Sequence, residues 1–549
     1  MNNQASPSCP RPFSAATRRE NMDILSSSLF DILVIGGGIT GVSVARDAAM
    51  RGFRTALVEQ TDFGWGTSSR SSRLVHGGLR YLEAYQLGLV FQCCSERQAM
   101  RRIAPRLVRP LPFLYPLYRG QKPAPWKLRA GLTLYDALSL FRNVQRHRWL
   151  APDEVVRREP LLNEQGLLGA ARFYDAQVDD ARLTLAITRA AHHEGAVVAN
   201  YAPVIGLLKS RQALRGAVIR DRIKGGEIEV QARAVINVTG VWADTVRQLD
   251  STGKSVTVRP TKGSHLVLAA DRLSVQHAVA FDSPRDGRHL FLIPWGAHVL
   301  LGTTDTDYTG RLDQPAAGRA DVEYLLEALN HVFPAAQIGP EDVISSFAGL
   351  RPLLYGGGGS YALSREHHVA ESDSGLINVV GGKLTTARLM AEQIVDRAAR
   401  KLAREFAIHP DASCHSREPL PGGERPWVAT GVEDQESHSH LVAAYGADAA
   451  WLLAYAEENP ALGQRIAPPL PYLMAEALYA IQHEMALTLN DILIRRTHVI
   501  YEIRGGGLDR ARAVAEAVAP RQGWGLPEIE RQIDDYAAQV ALTRAWEEE

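Results

Sequence analysis

The stretch Phe30 to Gly41, FDILVIGGGITG, continues through a small-residue segment, Val42 to Met50, into Arg54 to Glu59, RTALVE. Ile32-Leu33-Val34-Ile35 is a short continuous apolar run, the pattern of a strand buried on both faces. It enters a glycine turn, the turn enters a helix, and a second strand follows, which together make a βαβ unit on a parallel sheet. Within the turn, Gly36-x-Gly38-x-x-Gly41 divides the work. Gly36 permits the tight turn, Gly38 lets backbone N–H groups approach a pyrophosphate, and Gly41 lets the helix pack on the strand with its amino end toward the phosphates. Glu59 ends the second strand 18 residues after Gly41, where a carboxylate can accept from the hydroxyls of an adenosine ribose. The context predicts a bound adenine dinucleotide, and NAD and FAD both fit at this point.

The next segment favours FAD. Gly66 to Leu82, GTSSRSSRLVHGGLRYL, carries Thr67, Ser68, Ser69 and Ser72, a run of hydroxyls suited to the pyrophosphate and ribityl oxygens of a long, stationary cofactor. Standing alone, the loop would read as a polar turn with a helix cap. Two later segments, Ala234 to Trp242 (AVINVTGVW, with Thr239, Gly240 and Trp242) and Leu376 to Thr386 (LINVVGGKLTT, with Gly382, Leu384 and Thr385), each deliver a strand end at a glycine, as a sheet does around one large ligand.

These strands lie far apart in sequence, so the sheet is assembled from separate pieces. The expected fold is α/β: a discontinuous FAD-binding Rossmann-like domain (21–105, 151–255 and 345–405) with an inserted mixed or antiparallel substrate-binding sheet domain (256–344). Residues 1–20 read as a flexible tail and 106–150 as a basic aromatic segment. After the Pro419-Leu420-Pro421-Gly422-Gly423 break, 420–549 read as a C-terminal helical cap. The 549 residues, 46% hydrophobic and 22% charged, suit a globular chain of several domains and exclude low-complexity and collagen-like classes.

Lys+Arg and Asp+Glu balance at 61 each, which gives no global reason to expect nucleic acid. The sum hides a division: Arg70 to Leu150 holds 15 basic residues against three acids, and Leu420 to Glu549 holds 10 basic against 20 acidic. Cys9, Cys93, Cys94 and Cys414 lack CxxC spacing and predict neither a disulfide framework nor a thiolate zinc site. No secretory signal and no bilayer-spanning run are expected. The histidine pairs lack metal-ligand spacing, so no metal is assigned.

Taken together, the motifs resemble a known family. The glycine pattern, Glu59, the GTSS loop, HGGLRYL, FYDAQVDDARL from Phe173, PTKGSHLVL from Pro260, LIPWG from Leu292, LGTTDTDY from Leu301, GLRPL from Gly349 and GGKLTTAR from Gly381 look like FAD-dependent glycerol-3-phosphate dehydrogenase of the aerobic, membrane-associated type. Glu476, Tyr479, Glu484 and DILIRRT (Asp491 to Thr497) are similar to that family's C-terminal helical domain, and the resemblance covers about residues 18 to 545. Val238 and Val241 stand where the family usually has Ala and Pro, and Gly356 to Gly359 loosen a loop.

The resemblance implies oxidation of sn-glycerol 3-phosphate to dihydroxyacetone phosphate by hydride transfer to FAD, with electrons passed to a membrane quinone. Such a reaction needs a base, and His76 is the first candidate, with His265 the rival base or a hydrogen-bond partner of the substrate. Lys383 can stabilise negative charge developing on the substrate oxygen or the flavin. A phosphate dianion asks for guanidinium forks, and Arg80, Arg351 and Arg365 are the candidates, with Tyr81 beside the first. Arg351, between Leu350 and Pro352, sits in an apolar context that suggests a buried anion. A structural salt bridge is the competing reading of each arginine.

Quinones live in the bilayer. Residues 113–150 interleave Phe113, Tyr115, Trp126, Tyr135, Phe141 and Trp149 with Arg119, Lys122, Lys127, Arg129 and Arg142, which suits peripheral contact with an anionic lipid surface on the inner, cytoplasmic face of the cell membrane. A core helix pair with a solvated basic edge is the alternative. A homodimer is left open. Competing functions are a glycerol-3-phosphate oxidase using oxygen, a related FAD amino-acid or amine oxidase, and a flavoprotein without catalysis.

Overall fold

The computed structural model describes residues 12–82, 85–250, 258–354, 367–411, 416–421 and 434–549. The apolar run at the start of the quoted stretch forms the strand Leu29–Ile35, which pairs in parallel with Thr55–Val58 on one side and Glu227–Asn237 on the other. Leu376–Val380 and Val197–Ala199 extend the parallel core, so four well-separated pieces of sequence bring strand ends to one edge. The helix Ile39–Met50 is almost wholly buried, and its small residues let it pack against the helices Asp180–His193 and Ala387–Phe406. This is the expected Rossmann-like sheet, with an antiparallel extension from Val204–Ser210 and Ala213–Arg220.

The second sheet is mixed, with one parallel pairing, and larger than the 256–344 insert. Val258–Ala269, Ala278–Asp282, His289–Trp295 and His298–Gly302 lie in it as the β-rich sequence predicts. It also recruits Leu74–Val75, Val108–Tyr118, Arg148–Leu150 and Leu167–Val178, from segments assigned by sequence to the FAD domain or to the lipid-facing stretch. Val343–Leu354, placed largely with 345–405, pairs instead along Val258–Ala269. The prolines of VRPLPFLYPLY hide its strand, because proline removes a ladder donor. Pro110, Pro112 and Pro116 share parity, so the missing donors fall on one edge and the pairing with Leu167–Val178 runs the length of the strand.

Burial accordingly divides residues 106–150. Phe113, Leu114, Leu117, Leu132 and Tyr135 are core, with Tyr135 fully inaccessible, whereas Trp126 is 72% exposed and Leu134, Leu140 and Phe141 are exposed too. Half of the aromatic signal is therefore sheet and helix core rather than a lipid face.

The N-terminal expectation is also corrected. Residues 1–11 lie outside the described residues, but 12–20 are ordered by a helix, Ala15–Ser27. Ser14 accepts from the N–H groups of Ala16 and Thr17 and Thr17 returns the bond to the Ser14 N–H, a capping box. Phe13, Met22 and Leu25 bury their side chains, each worth roughly 1.5–3 kcal/mol, and Arg18 pairs with Asp221 at 2.8 Å.

The C-terminal helices, Gln435–Tyr445, Ala449–Glu458, Met474–His483, Leu508–Gln522 and Leu526–Leu542, are not a detached cap. One apolar cluster runs from Phe113, Phe173 and Phe347 of the second sheet to Leu478, Ile481 and Leu493. Part of the acidic excess is consumed here: Glu484 holds Arg182 at 2.7 Å and Asp448 holds Arg189 at 3.1 Å.

Candidate functional site

Two adjoining cavities lie where the strand ends of the first sheet meet the face of the second. The first, about 270 Å³, is lined by Gly36, Gly38, Glu59, Ser68, Thr239, Gly240 and Trp242. Gly36 has φ +111°, and a Cβ there would sit 2.9 Å from the Val238 carbonyl oxygen. At Gly41 a Cβ would lie 1.8 Å from the Gly36 oxygen, which is why the helix can follow the turn so closely only with glycine there. The Glu59 carboxylate accepts from Gly37 N at 2.6 Å and Thr61 N at 2.9 Å, leaving further lone pairs on the cavity side. Burial raises its pKa, and those two N–H bonds act in the opposite direction.

The second cavity, about 610 Å³, shares Thr67, Ser71, Gly382, Lys383 and Leu384 with the first and adds His76, Tyr81, His265 and Arg351. Lys383 follows Gly381-Gly382, both at positive φ, which carry the chain away from its strand end. Its ammonium lies 3.8 Å above the Tyr81 ring, is buried, and has no hydrogen-bond partner among the described residues. A buried ammonium with three unused donors is costly unless something accepts from it.

His265, on the strand Val258–Ala269, stacks on Phe347 with centroids 4.9 Å apart, and its Nε2 meets the Ser72 hydroxyl at 2.8 Å. Burial first, then the guanidinium charges of Arg351 and Arg73, push its pKa down to about 3. It is a neutral imidazole at working pH and a poor store for a proton. Arg351 donates to Asp305 at 3.1 Å, Thr303 Oγ1 at 3.2 Å and the Thr304 carbonyl at 3.1 Å. It reaches the cavity already paired, so it carries less net charge than its sequence context suggests.

A family profile described as FAD dependent oxidoreductase matches residues 31–397, and one described as the C-terminal domain of alpha-glycerophosphate oxidase matches 391–528. Glycerol-3-phosphate dehydrogenase 2 of Mycobacterium bovis is 39% identical over 527 residues, covering 94% of this chain and 89% of that protein. The glycerol-3-phosphate dehydrogenase of a Synechocystis strain is 37% identical, covering 94% and 97%. The crystal structure of glycerol-3-phosphate dehydrogenase from Bacillus halodurans complexed with FAD superposes with a TM-score of 0.78 at 30% identity, covering 96% and 98%.

The chain belongs to the FAD-dependent glycerol-3-phosphate dehydrogenase family.

The family's cofactor is FAD, and the residues fit it: the glycine turn and Glu59 for the adenosine half, Thr239, Gly240 and Trp242 beside it, and the unsatisfied Lys383 ammonium at the junction. The hydroxyl run is not one continuous cradle, however. Thr67 spends its proton on the Leu350 carbonyl at 2.5 Å, and Ser68 accepts from Ile39 N at 2.9 Å, capping the helix and keeping its own proton to donate. Ser69 is buried and lines neither cavity, while Ser72 belongs to the second cavity through His265. The hydroxyls of Thr67, Ser68 and Ser72 are each allotted by a distant partner, which the sequence of the loop does not display.

Thr385 accepts from the His76 N–H at 3.3 Å and so fixes backbone at the second cavity. Arg80 lies in the short helical turn Leu79–Leu82, but its side chain, like all of Arg365, lies outside the described residues. Arg70, Ser71, Arg288 and Asp305 also line the second cavity and were not singled out by sequence. For Arg70 the signal was present as a guanidinium inside the hydroxyl loop itself.

His265 has a pH signature. Its unfolded imidazole titrates near 6.5 and its folded one near 3, so between those values the unfolded chain binds the extra proton. Stability is therefore full above about pH 6.5 and falls as pH drops toward 3, by roughly 5 kcal/mol at the limit. His265→Gln is expected to lose less melting temperature than the wild type between pH 6.5 and 4. Parallel losses in both proteins would contradict a buried neutral imidazole.

Proposed function

We propose that the chain oxidises sn-glycerol 3-phosphate to dihydroxyacetone phosphate and delivers the electrons to a quinone at a membrane surface. The observation that carries the reading is the buried Lys383 ammonium, stacked on Tyr81 and without a hydrogen-bond partner among the described residues, where the dinucleotide cavity opens into the larger one. FAD, when bound, supplies the hydride acceptor. His76 is assigned the hydroxyl proton: it lines the second cavity, its backbone is held by Thr385, and its ring stacks over Tyr81 with centroids 6.5 Å apart. Lys383 offers its donors where the carbinol oxygen gains negative charge. His265, held neutral, orients substrate by hydrogen bonding and does not compete for the proton. Arg351, steadied by Asp305 and Thr303, presents a fixed fork to the cavity.

No helix among the described residues is long and apolar enough to cross a membrane. The exposed group around Trp126, Leu134, Leu140 and Phe141, interleaved with Lys122, Lys127, Arg129 and Arg142, supports peripheral contact with anionic lipid at the inner face of the cell membrane. The matched alpha-glycerophosphate oxidase domain keeps oxygen as the second reading of the acceptor. Reducing the holoenzyme with glycerol 3-phosphate and reoxidising it with a water-soluble quinone or with air separates the two. Quinone-dependent turnover with little peroxide is expected; stoichiometric peroxide undiminished by quinone would assign the electrons to oxygen.

A further inference from the structure

His76, assigned the hydroxyl proton above, follows the short strand Leu74–Val75, which pairs with Gln177 and Ala176 of Leu167–Val178. The next residue along that partner strand is Asp175, and there the ladder gives way to a side chain: the Gly77 N–H donates to Asp175 Oδ1 at 3.0 Å. The preceding N–H, that of His76 itself, donates to Thr385 Oγ1 at 3.3 Å. Both peptide groups flanking the His76 Cα are therefore pinned, which leaves the side chain only rotation about its own bonds. Asp175 and His76 both line the second cavity.

The Asp175 carboxylate is itself fixed. Its Oδ1 also accepts from the Tyr135 hydroxyl at 2.7 Å and from the Arg97 guanidinium. Arg97 donates in turn to Tyr135 Oη and the Tyr174 carbonyl, each at 3.1 Å, and to Asn143 Oδ1. Asp175, Arg97 and Tyr135 are all buried and come from three elements, the strand Leu167–Val178 and the helices Leu87–Ile103 and Pro125–Leu138. Gly77 lies directly on this cluster, because a Cβ there would collide with the Tyr135 hydroxyl and with Cys94 Sγ. Arg97 matches the charge of Asp175, so the carboxylate adds little net negative charge to a cavity that must admit an anion. A counter-ion for Arg97 needs neither the Gly77 bond nor a place in the cavity wall; Asp175 has both.

We infer that Asp175 is a positioning residue for His76, holding the imidazole at the depth in the second cavity where it meets the substrate. The inference rests on the assignment of His76 as the base. Asp175 touches no reacting atom in this account; it acts through the backbone of Gly77. Geometry alone makes such a residue matter, since displacing a reacting group by about 1 Å can cost two orders of magnitude in rate.

The test uses the full-length holoenzyme and compares wild type, Asp175→Glu, His76→Asn and the double variant for FAD content and for the anaerobic rate of flavin reduction across glycerol 3-phosphate concentrations. Glutamate keeps the charge that Arg97 needs and moves the carboxylate by one bond length, ~1.5 Å. Asp175→Glu is expected to bind FAD at wild-type stoichiometry and to reduce it about tenfold to hundredfold more slowly at saturating substrate, with the half-saturating concentration within about threefold of wild type. In the His76→Asn background the same change should cost less than about threefold, because the group it acts through is gone. A wild-type rate in Asp175→Glu would overturn the inference, and so would an equal loss in both backgrounds, which would make Asp175 a general support of the fold. Should Asp175→Glu fail to fold, Tyr135→Phe takes its place, since it removes one donor and strands no charge. Its expected loss of about threefold to tenfold should likewise vanish with His76→Asn, and a wild-type rate in Tyr135→Phe rejects the inference. If wild-type flavin is not reduced by glycerol 3-phosphate, or His76→Asn is reduced within about tenfold of the wild-type rate, the reading of the function or of the base fails. The crystal structure of the folded variant then decides: a displaced His76–Gly77 backbone supports the inference and the wild-type course rejects it.

Discussion

Lys383→Met is expected to lower kcat/KM for glycerol 3-phosphate by about 10²–10³-fold, some ~3–4 kcal/mol of transition-state stabilisation, with FAD still bound. Methionine keeps the length and apolar stem of lysine, so the packing over Tyr81 survives. What is lost is an ammonium with no other hydrogen-bond partner among the described residues, so no protein group is left stranded by its removal. The loss should fall mainly on kcat, since the charge it stabilises grows during reaction. A reduction below about tenfold, or ~1.4 kcal/mol, would show that the ammonium serves folding or surface charge instead.

The second large effect is at Gly38. Its φ is −74°, ordinary for any residue, and a Cβ there meets only the Ser68 hydroxyl at 3.2 Å, so the backbone itself tolerates substitution. The branches of valine project into the cavity lined by Gly36, Gly38 and Glu59, where the pyrophosphate must come close to the N–H groups. Gly38→Val is thus expected to yield a folded, colourless protein with FAD occupancy below about a tenth of wild type. Gly41→Ala offers a contrast, because its Cβ would collide with the Gly36 oxygen and damage the fold as well as cofactor binding. Normal yellow stoichiometry in Gly38→Val would contradict the turn's assigned role.

The parts of this molecule legible in the sequence are those written into local backbone chemistry. Gly36, Gly38 and Gly41 declare the turn, the run Ile32–Ile35 declares a buried strand, and Leu376–Val380 was readable to the residue. Motif order then carried the family and the cofactor, and most of the residues singled out in the sequence line one of the two cavities. What stayed hidden depends on partners remote in sequence. Ser72 is drawn from the cofactor by His265, 193 residues away, and Arg351 is neutralised by Asp305, 46 residues away. Phe113 to Tyr118 reads as part of the basic aromatic segment until its neighbours in the sheet are known, and its aromatic side chains then enlarge the apparent lipid face. The capped helix at Ala15 shows the reverse failing: Ser14 and Thr17 were a readable cap, outweighed by the polar composition around them.

The charge division of the chain takes on a different meaning in the fold. Arg97, inside the basic segment, is bound to the buried Asp175, and Arg495 and Arg496, inside the acidic segment, converge on Asp62. Charges that look segregated along the sequence thus meet acids of other segments in the interior. What remains for partners is a smaller set: the exposed basic residues around Trp126, and the cations that face the second cavity.

The central claim, that this flavin is reduced by a phosphorylated secondary alcohol, is tested most directly by titrating the holoenzyme with sn-glycerol 3-phosphate in the absence of oxygen. Bleaching of the flavin band by about one equivalent per flavin, with glycine and sarcosine inert, is the predicted result. A flavin bleached by either amine and untouched by glycerol 3-phosphate would contradict it.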